Sequence, residues 1–294
     1  YKTTGYLIQG KKTIIIETGA APSNKVILSA LEELGIALDK IDAIAVTHIH
    51  LDHSGGAGLL MSQCPNAVLL AHEKAKRHLA DPEKLTLGAR QVYGDAFNSL
   101  FNPILPIHED RIEIMKDEDA FDLGEDRVLK FYNSPGHAFH HFLIHDPKSK
   151  GIFAGDSAGL FYDRIYKEHG IKISIPVTSP PQFAPELMIE TIDKMISLNP
   201  ERIYYTHFGM SDSAIELLYQ AKEWVSFFSD ECVEFCKQDR SLENLTDYIQ
   251  EQVLVRLEKM GIPPTLSDKE NLRHDNWLNA QGIIAYVARM EKSG

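Results

Sequence analysis

Short β-branched, apolar runs alternate with helical stripes through the first two-thirds of the chain, and a turn residue marks each change. Residues 13–16 (Thr-Ile-Ile-Ile) predict a compact strand that stops at Thr18-Gly19. Residues 23–34 put Val26, Ile27, Ala30, Leu31 and Leu34 on one helical stripe, with Gly35 just past the end. Residues 41–47 are apolar and β-branched, and predict a buried strand running straight into a histidine cluster. Further strands are expected over 68–70, 111–115, 127–132, 142–145, 152–154 and 202–205. The pair 142–145 and 152–154 flanks Asp146-Pro147-Lys148 as a hairpin. Residues 185–198 read as an amphipathic helix. Residues 88–107 form an irregular excursion with a helical core, whose Phe97, Leu100 and Phe101 need cover.

The pattern changes after Gly209. Leu218, Ala221, Val225, Phe228 and Cys232 recur at helical spacing over 211–237, and residues 242–260 repeat the idea. Gly261-Ile262-Pro263-Pro264 breaks the chain, and Ser267 with Glu270 gives a capping-box signature before a last helix to about residue 290. An α/β region over 1–209 and a helical region over 210–294 follow from this change.

With 44% apolar and 24% charged residues in a chain of 294, disorder and fibrous structure are excluded. Acidic residues outnumber basic ones 42 to 30, for a net charge of -12, and no Lys/Arg cluster offers a footprint for nucleic acid. No apolar run approaches the ~18 residues of a membrane span; no leader is expected in the sequence as given, whose start at Tyr1 suggests trimming that would remove one. Cys64, Cys232 and Cys236 are too few and too odd for a disulfide scaffold, so a reducing cytoplasm is expected.

Residues 47–56 carry the chemistry: Thr-His-Ile-His-Leu-Asp-His-Ser-Gly-Gly. His48, His50, Asp52 and His53 are four metal-ligand types directly after a predicted buried strand. Alternation sends His48, His50 and Asp52 to one side and leaves His53 to the turn. Two ligand groups then face two adjacent positions, as a pair of metals about 3.5–4 Å apart requires. Gly55 and Gly56 allow a tight turn into a helix. His137 follows strand 127–132 through Ser134-Pro135-Gly136, Asp156 follows 152–154 through Gly155, and His207 follows 202–205 through Thr206. Each lies just past the C-terminal end of a short strand, the edge where loops build sites in α/β folds. Together these residues suffice for two metals with an open position each.

These motifs resemble the metallo-β-lactamase-fold hydrolase superfamily. The matching segments are His48-Ile49-His50-Leu51-Asp52-His53, Pro135-Gly136-His137, Ala154-Gly155-Asp156 and Thr206-His207-Phe208-Gly209, spread over about residues 5–209. Glu17-Thr18-Gly19 is similar to the family's first motif, with Glu17 where Asp is usual. The resemblance implies an αββα sandwich with a C-terminal helical extension, and two divalent metals, zinc first, with iron or manganese as alternatives. It implies His48, His50 and His137 on one metal, Asp52, His53 and His207 on the other, and Asp156 bridging. Glu17 would support the ligands from behind. The implied reaction is hydrolysis of an ester, thioester or lactone of a small molecule by a water whose pKa the metals lower to about 7. Asp52 or Asp156 would orient that water and relay its proton, with Tyr162 and His141 as candidates to protonate the leaving group.

Within the superfamily the chain is most similar to glyoxalase II-like hydrolases with a C-terminal helical extension. Residues 271–279 (Asn-Leu-Arg-His-Asp-Asn-Trp-Leu-Asn) do not match a glutathione-binding motif. Flavin-partnered di-iron oxygen reductases have a carboxylate where this chain has His50. An iron persulfide dioxygenase and a non-catalytic metal-containing sensor are the rival readings. Trp277, Ile283, Ile284 and Val287 are expected to pack as a stripe, with Trp277, Asn279 or Tyr286 as alternative pocket walls. Phe97, Phe101, Phe161 and Phe183 are expected in the core, with lining of the metal cleft as the alternative, Cys232 and Cys236 as packing, His140 as support, and Pro180-Pro181 as a stiff loop or lid.

Overall fold

The computed structural model describes residues 3–293, which cluster into two compact units. The first comprises the chain through Asn133 with His140–Gly155 and Arg202–Gly209. One of its sheets joins β1 (Tyr6–Gln9), β2 (Thr13–Ile16), β3 (Ala43–Ala45), β4 (Val68–His72) and β5 (Ile112–Met115) in that order. The first pair is antiparallel and the rest are parallel. The other sheet pairs β6 (Ala120–Asp122), β7 (Val128–Asn133), β8 (Phe142–Asp146) and β9 (Gly151–Gly155) antiparallel in succession. On the far side of β9, β12 (Arg202–Tyr205) pairs parallel to it.

The period-two alternation of the strands decides which side chains go where. Ile14 and Ile16 of β2, Leu70 of β4, Phe131 of β7, Ile144 of β8 and Phe153 of β9 form one core cluster between the sheets. Ile15, Ile44, Leu69 and Ile112 point the other way and meet helices α1 (Asn24–Glu33) and α3 (Ala57–Gln63). Of the stripe expected on α1, Leu31 is buried and Ile27 partly so, whereas Val26 and Leu34 are more than 60% exposed. The helix meets the core along a narrower line, with Leu28 rather than Val26 beside Ile27. Arg111 secures the end of α3, its guanidinium donating to the carbonyls of Met61, Cys64 and Ala67.

The helical stretch starts earlier than the expected excursion over 88–107: α4 (Lys76–Ala80) precedes it, α5 (Glu83–Tyr93) runs into it, and α6 (Phe97–Phe101) lies within it. Phe97 and Phe101 are buried with Leu51, the residue preceding Asp52, while Leu100 stays exposed. One turn, α2 (Leu51–Ser54), lies between β3 and α3.

The second unit contains Ser134–Phe139, Asp156–Glu201 and the chain from Met210 onward. It holds β10 (Leu160–Phe161) paired with β11 (Ser174–Ile175), then α7 (Asp163–His169), α8 (Pro185–Ser197) and α9 (Ala214–Phe227). A π-helical turn at Phe228–Cys232 leads into α10 (Val233–Gln238), followed by α11 (Leu242–Lys259) and α12 (Leu266–Ser293). The start of α12 differs from the expected capping box. Thr265 and Asp268 cap it instead, Thr265 N–H donating to the Asp268 carboxylate at 2.9 Å and Asp268 N–H to Thr265 Oγ1 at 3.2 Å. The helix therefore begins before Ser267, which lies inside its first turn. Along α12, Ile283 and Val287 are buried but Trp277 is on the exposed side. Phe161 and Phe183 are buried, as are the free thiols of Cys232, Cys236 and, in the first unit, Cys64. Burial raises all three thiol pKa values, that of Cys64 to about 11. Among the described residues no helix is long and apolar enough to cross a membrane.

Candidate metal centre

β3 ends at Ala45, before the histidines, so the strand alternation expected to sort them does not extend through the cluster. The backbone turns instead: the N–H groups of His53 and Ser54 both bond the His50 carbonyl at 2.9 Å, winding α2. Gly56 keeps this turn close to its neighbours. Its N–H bonds Gly19 O at 2.8 Å, and a Cβ there would meet Asn24 Oδ1 at 2.4 Å, so only glycine fits. Its own backbone is ordinary αR, so close approach is the reason for the residue.

The turn gathers Asp52 and His53 with His207 from the end of β12; their donor atoms all lie within 4.8 Å of one another. His207 Nε2 stands 3.4 Å and His53 Nε2 3.7 Å from Asp52 Oδ2. Two ligands each about 2.1 Å from a tetrahedral cation stand about 3.4 Å apart, so this spacing suits a shared ion. His53 and His207 are buried, while about a third of the Asp52 side chain is open. His48 and His50 form a second pair in the same unit, His48 Nε2 lying 2.8 Å from His50 Nδ1. The donor set of imidazoles and carboxylate fits zinc, iron or manganese.

Glu17 sits behind this group, 1% exposed and with φ at 69°. Its Oε1 accepts from Thr47 N–H at 2.9 Å, and its Oε2 from His53 Nδ1 at 3.2 Å. A carboxylate only accepts, so Nδ1 of His53 carries a proton in this contact, and Nε2 is turned toward Asp52. His140 and His141 flank His48, their rings 6.1 and 4.8 Å from it. A Cβ on Gly155 would lie 2.3 Å from His141 Nε2, which packs that imidazole tightly under the cluster.

His137 and Asp156 belong to the second unit, each just after a strand of the first. There His137 Nε2 is 3.5 Å from Asp156 Oδ2, again a ligand-like spacing, and His137 Nδ1 is 2.9 Å from the Val177 carbonyl. Tyr162 donates to Asp275 at 2.8 Å, and burial together with that carboxylate holds its pKa well above 10. That hydroxyl is engaged on α12, which argues against Tyr162 as a leaving-group acid. The pocket-wall residues are engaged likewise: Asn279 is buried against Thr178, and Tyr286 donates to Glu186 at 2.7 Å. The Pro180-Pro181 segment is tied down, Arg289 donating to the carbonyls of Pro181 and Phe183.

Tyr93 was not legible as a site residue. It ends α5, packs edge-on against Phe101 at 4.9 Å, and has its pKa pushed up to about 12 by burial and then by the Asp52 carboxylate. Leu87, Val92 and Leu100 are exposed on the same helical stretch.

The sequence profile of the metallo-beta-lactamase superfamily matches residues 2–207. The chain belongs to the metallo-beta-lactamase superfamily. Its fold is the family's α/β sandwich with mixed sheets, followed by a C-terminal region of several helices. The metallo-beta-lactamase fold-containing protein of Sulfurisphaera tokodaii is 30% identical over 213 residues, covering 70% of this chain and 73% of its own length. A probable metallo-hydrolase of Methanocaldococcus jannaschii is 30% identical over 147 residues, 49% of this chain and 62% of its own. Among solved structures, a metallo-beta-lactamase family protein of Thermus thermophilus covers 99% of this chain and 89% of its own at a TM-score of 0.67. Its 17% identity makes that a likeness of fold alone. A superfamily metal centre accounts for the His/Asp cluster.

Proposed function

We propose that the protein is a dinuclear metal-dependent hydrolase that cleaves an ester, thioester or lactone of a small molecule. The observation carrying this reading is the convergence of Asp52, His53 and His207 at ligand spacing, with Asp52 open to solvent. In this proposal His48, His50 and His137 would hold one cation and Asp52, His53 and His207 the other, with Asp156 as the ligand they would share. Divalent cations bound there would lower the pKa of a coordinated water and polarise the substrate carbonyl. The chain's own residues supply the rest. Either Asp52 or Asp156 would orient that water and take its one proton. Glu17 fixes His53 with Nε2 forward, and Tyr93, whose phenol feels the Asp52 charge, is the candidate donor to the leaving group or the developing oxyanion. A glyoxalase II-like thioesterase without glutathione recognition is the member class this describes best, with zinc as the metal.

The test is elemental analysis of protein purified without added metal, paired with a panel of esters, thioesters, lactones and phosphodiesters. About two zinc ions per chain and turnover of a panel member support the proposal. One iron per chain with oxygen uptake on a persulfide would replace it with dioxygenase chemistry. Full metal loading with silence across the panel would favour a sensor. Asp156→Ala is expected to lose at least one metal and nearly all hydrolysis; normal metal content and full activity in that variant would refute the bridge.

A further inference from the structure

The Val177 carbonyl that accepts from His137 Nδ1 lies in an irregular segment, two residues beyond the end of β11. No strand ladder holds it. Its peptide unit is nevertheless fixed at the other end. The N–H of Thr178 belongs to the same planar group and donates to Asn279 Oδ1 at 2.8 Å, and Thr178 Oγ1 donates to the Asn279 carbonyl at 2.7 Å. Thr178 and Asn279 are both essentially inaccessible to solvent. One turn further along α12, Gly282 lets the helix press onto this segment: a Cβ there would meet Thr178 O at 2.2 Å and Oγ1 at 2.5 Å.

A trans peptide is rigid, so the direction of its N–H dictates the direction of its C=O. Gripping Thr178 N–H therefore aims the Val177 oxygen at His137. That oxygen can only accept, which keeps a proton on His137 Nδ1 and turns Nε2 toward Asp156, 3.5 Å away. We propose that Asn279 of the C-terminal helix is a positioning residue for His137, setting its ring orientation and tautomer through the Val177–Thr178 peptide. The inference rests on the assignment of His137 as a metal ligand made above. It gives the helical region a part in metal binding that requires no contact between Asn279 and the metal.

Zinc titrated into the metal-free full-length protein, with a competing chelator, reads the effect directly as stoichiometry and dissociation constant. Asn279→Leu removes the acceptor and should weaken one equivalent of zinc about tenfold, the low end for outer partners of metal ligands. Asn279→Asp keeps an oxygen acceptor and should restore most of that affinity. Val287→Ala thins the packing of the same helix and should leave zinc affinity alone, which separates positioning from simple loss of stability. His137→Ala should lose one equivalent. Wild-type zinc affinity in Asn279→Leu, alongside a lost equivalent in His137→Ala, overturns the inference. Two equivalents bound normally by His137→Ala would instead remove the ligand assignment beneath it. Should Asn279→Leu fail to fold, Thr178→Val against Thr178→Ser decides: weakening by Val alone supports the inference, and equal affinities overturn it.

Discussion

Replacing Glu17 by Gln tests the support of the metal centre in isolation, because it changes one buried group by one atom and a charge. The carboxylate takes two hydrogen bonds in a site it shares with no solvent, one from Thr47 N–H at 2.9 Å and one from His53 Nδ1 at 3.2 Å. A glutamine amide has one acceptor oxygen for these two donors. Whichever way it flips, one buried donor is left facing an NH₂ group, at a cost of about 1–3 kcal/mol. If roughly 2 kcal/mol of this falls on the metal-bound form, zinc affinity drops about 30-fold. That lies inside the ten- to hundredfold range typical of outer partners of metal ligands. Chelator competition measures the affinity, and the urea midpoint of the metal-free protein measures what is charged to folding. Unchanged values in both would refute the supporting role of Glu17.

Phe97→Ala should destabilise the first unit by about 3–5 kcal/mol, because Phe97 is fully buried beneath α2, and denaturant unfolding reads it. Arg111→Lys loses the fork that reaches three carbonyls and should cost about 2 kcal/mol in the same assay. Tyr93 and Tyr286 have pKa values pushed up to about 12, so between pH 10 and 12 the unfolded chain holds fewer protons than the folded one. Stability should therefore be full below pH 10 and fall as pH rises toward 12, visible as an alkaline drop in melting temperature that Tyr286→Phe reduces. Tyr93→Phe should slow turnover of whichever panel substrate is cleaved while leaving zinc content unchanged; an unaltered rate would remove the phenol from the reaction.

Where local pattern and tertiary demand agree, the sequence is readable. The strand at Thr13–Ile16 and the hairpin around Asp146-Pro147-Lys148 appear where turn residues and alternation put them. Val26 and Leu34 were misplaced because a helical stripe states which residues share a side, not how wide a contact the sheet offers. The capping box shifted to Thr265 and Asp268 because several side chains near the start of α12 are competent to cap, and the hydrogen bonds choose among them. At the centre, the residue types of His48 to His53 announce their chemistry, but their sorting depends on a turn at His50 that strand periodicity does not encode. Tyr93 gives no signal at all: it ends a helix with no fully buried residue, and only the fold brings it near Asp52. The link from Asn279 to Thr178 spans 101 positions, beyond the reach of any local rule.

The three native cysteines have a practical consequence. All are enclosed and hold their protons well above neutral pH, so thiol reagents will find little thiolate to attack. A single cysteine introduced at Leu266, which is 75% exposed, would thus be the dominant reactive sulfur in the folded protein. Fluorophores or spin labels could be attached there to watch the C-terminal region respond to added cations, with no need to engineer the native sulfurs away.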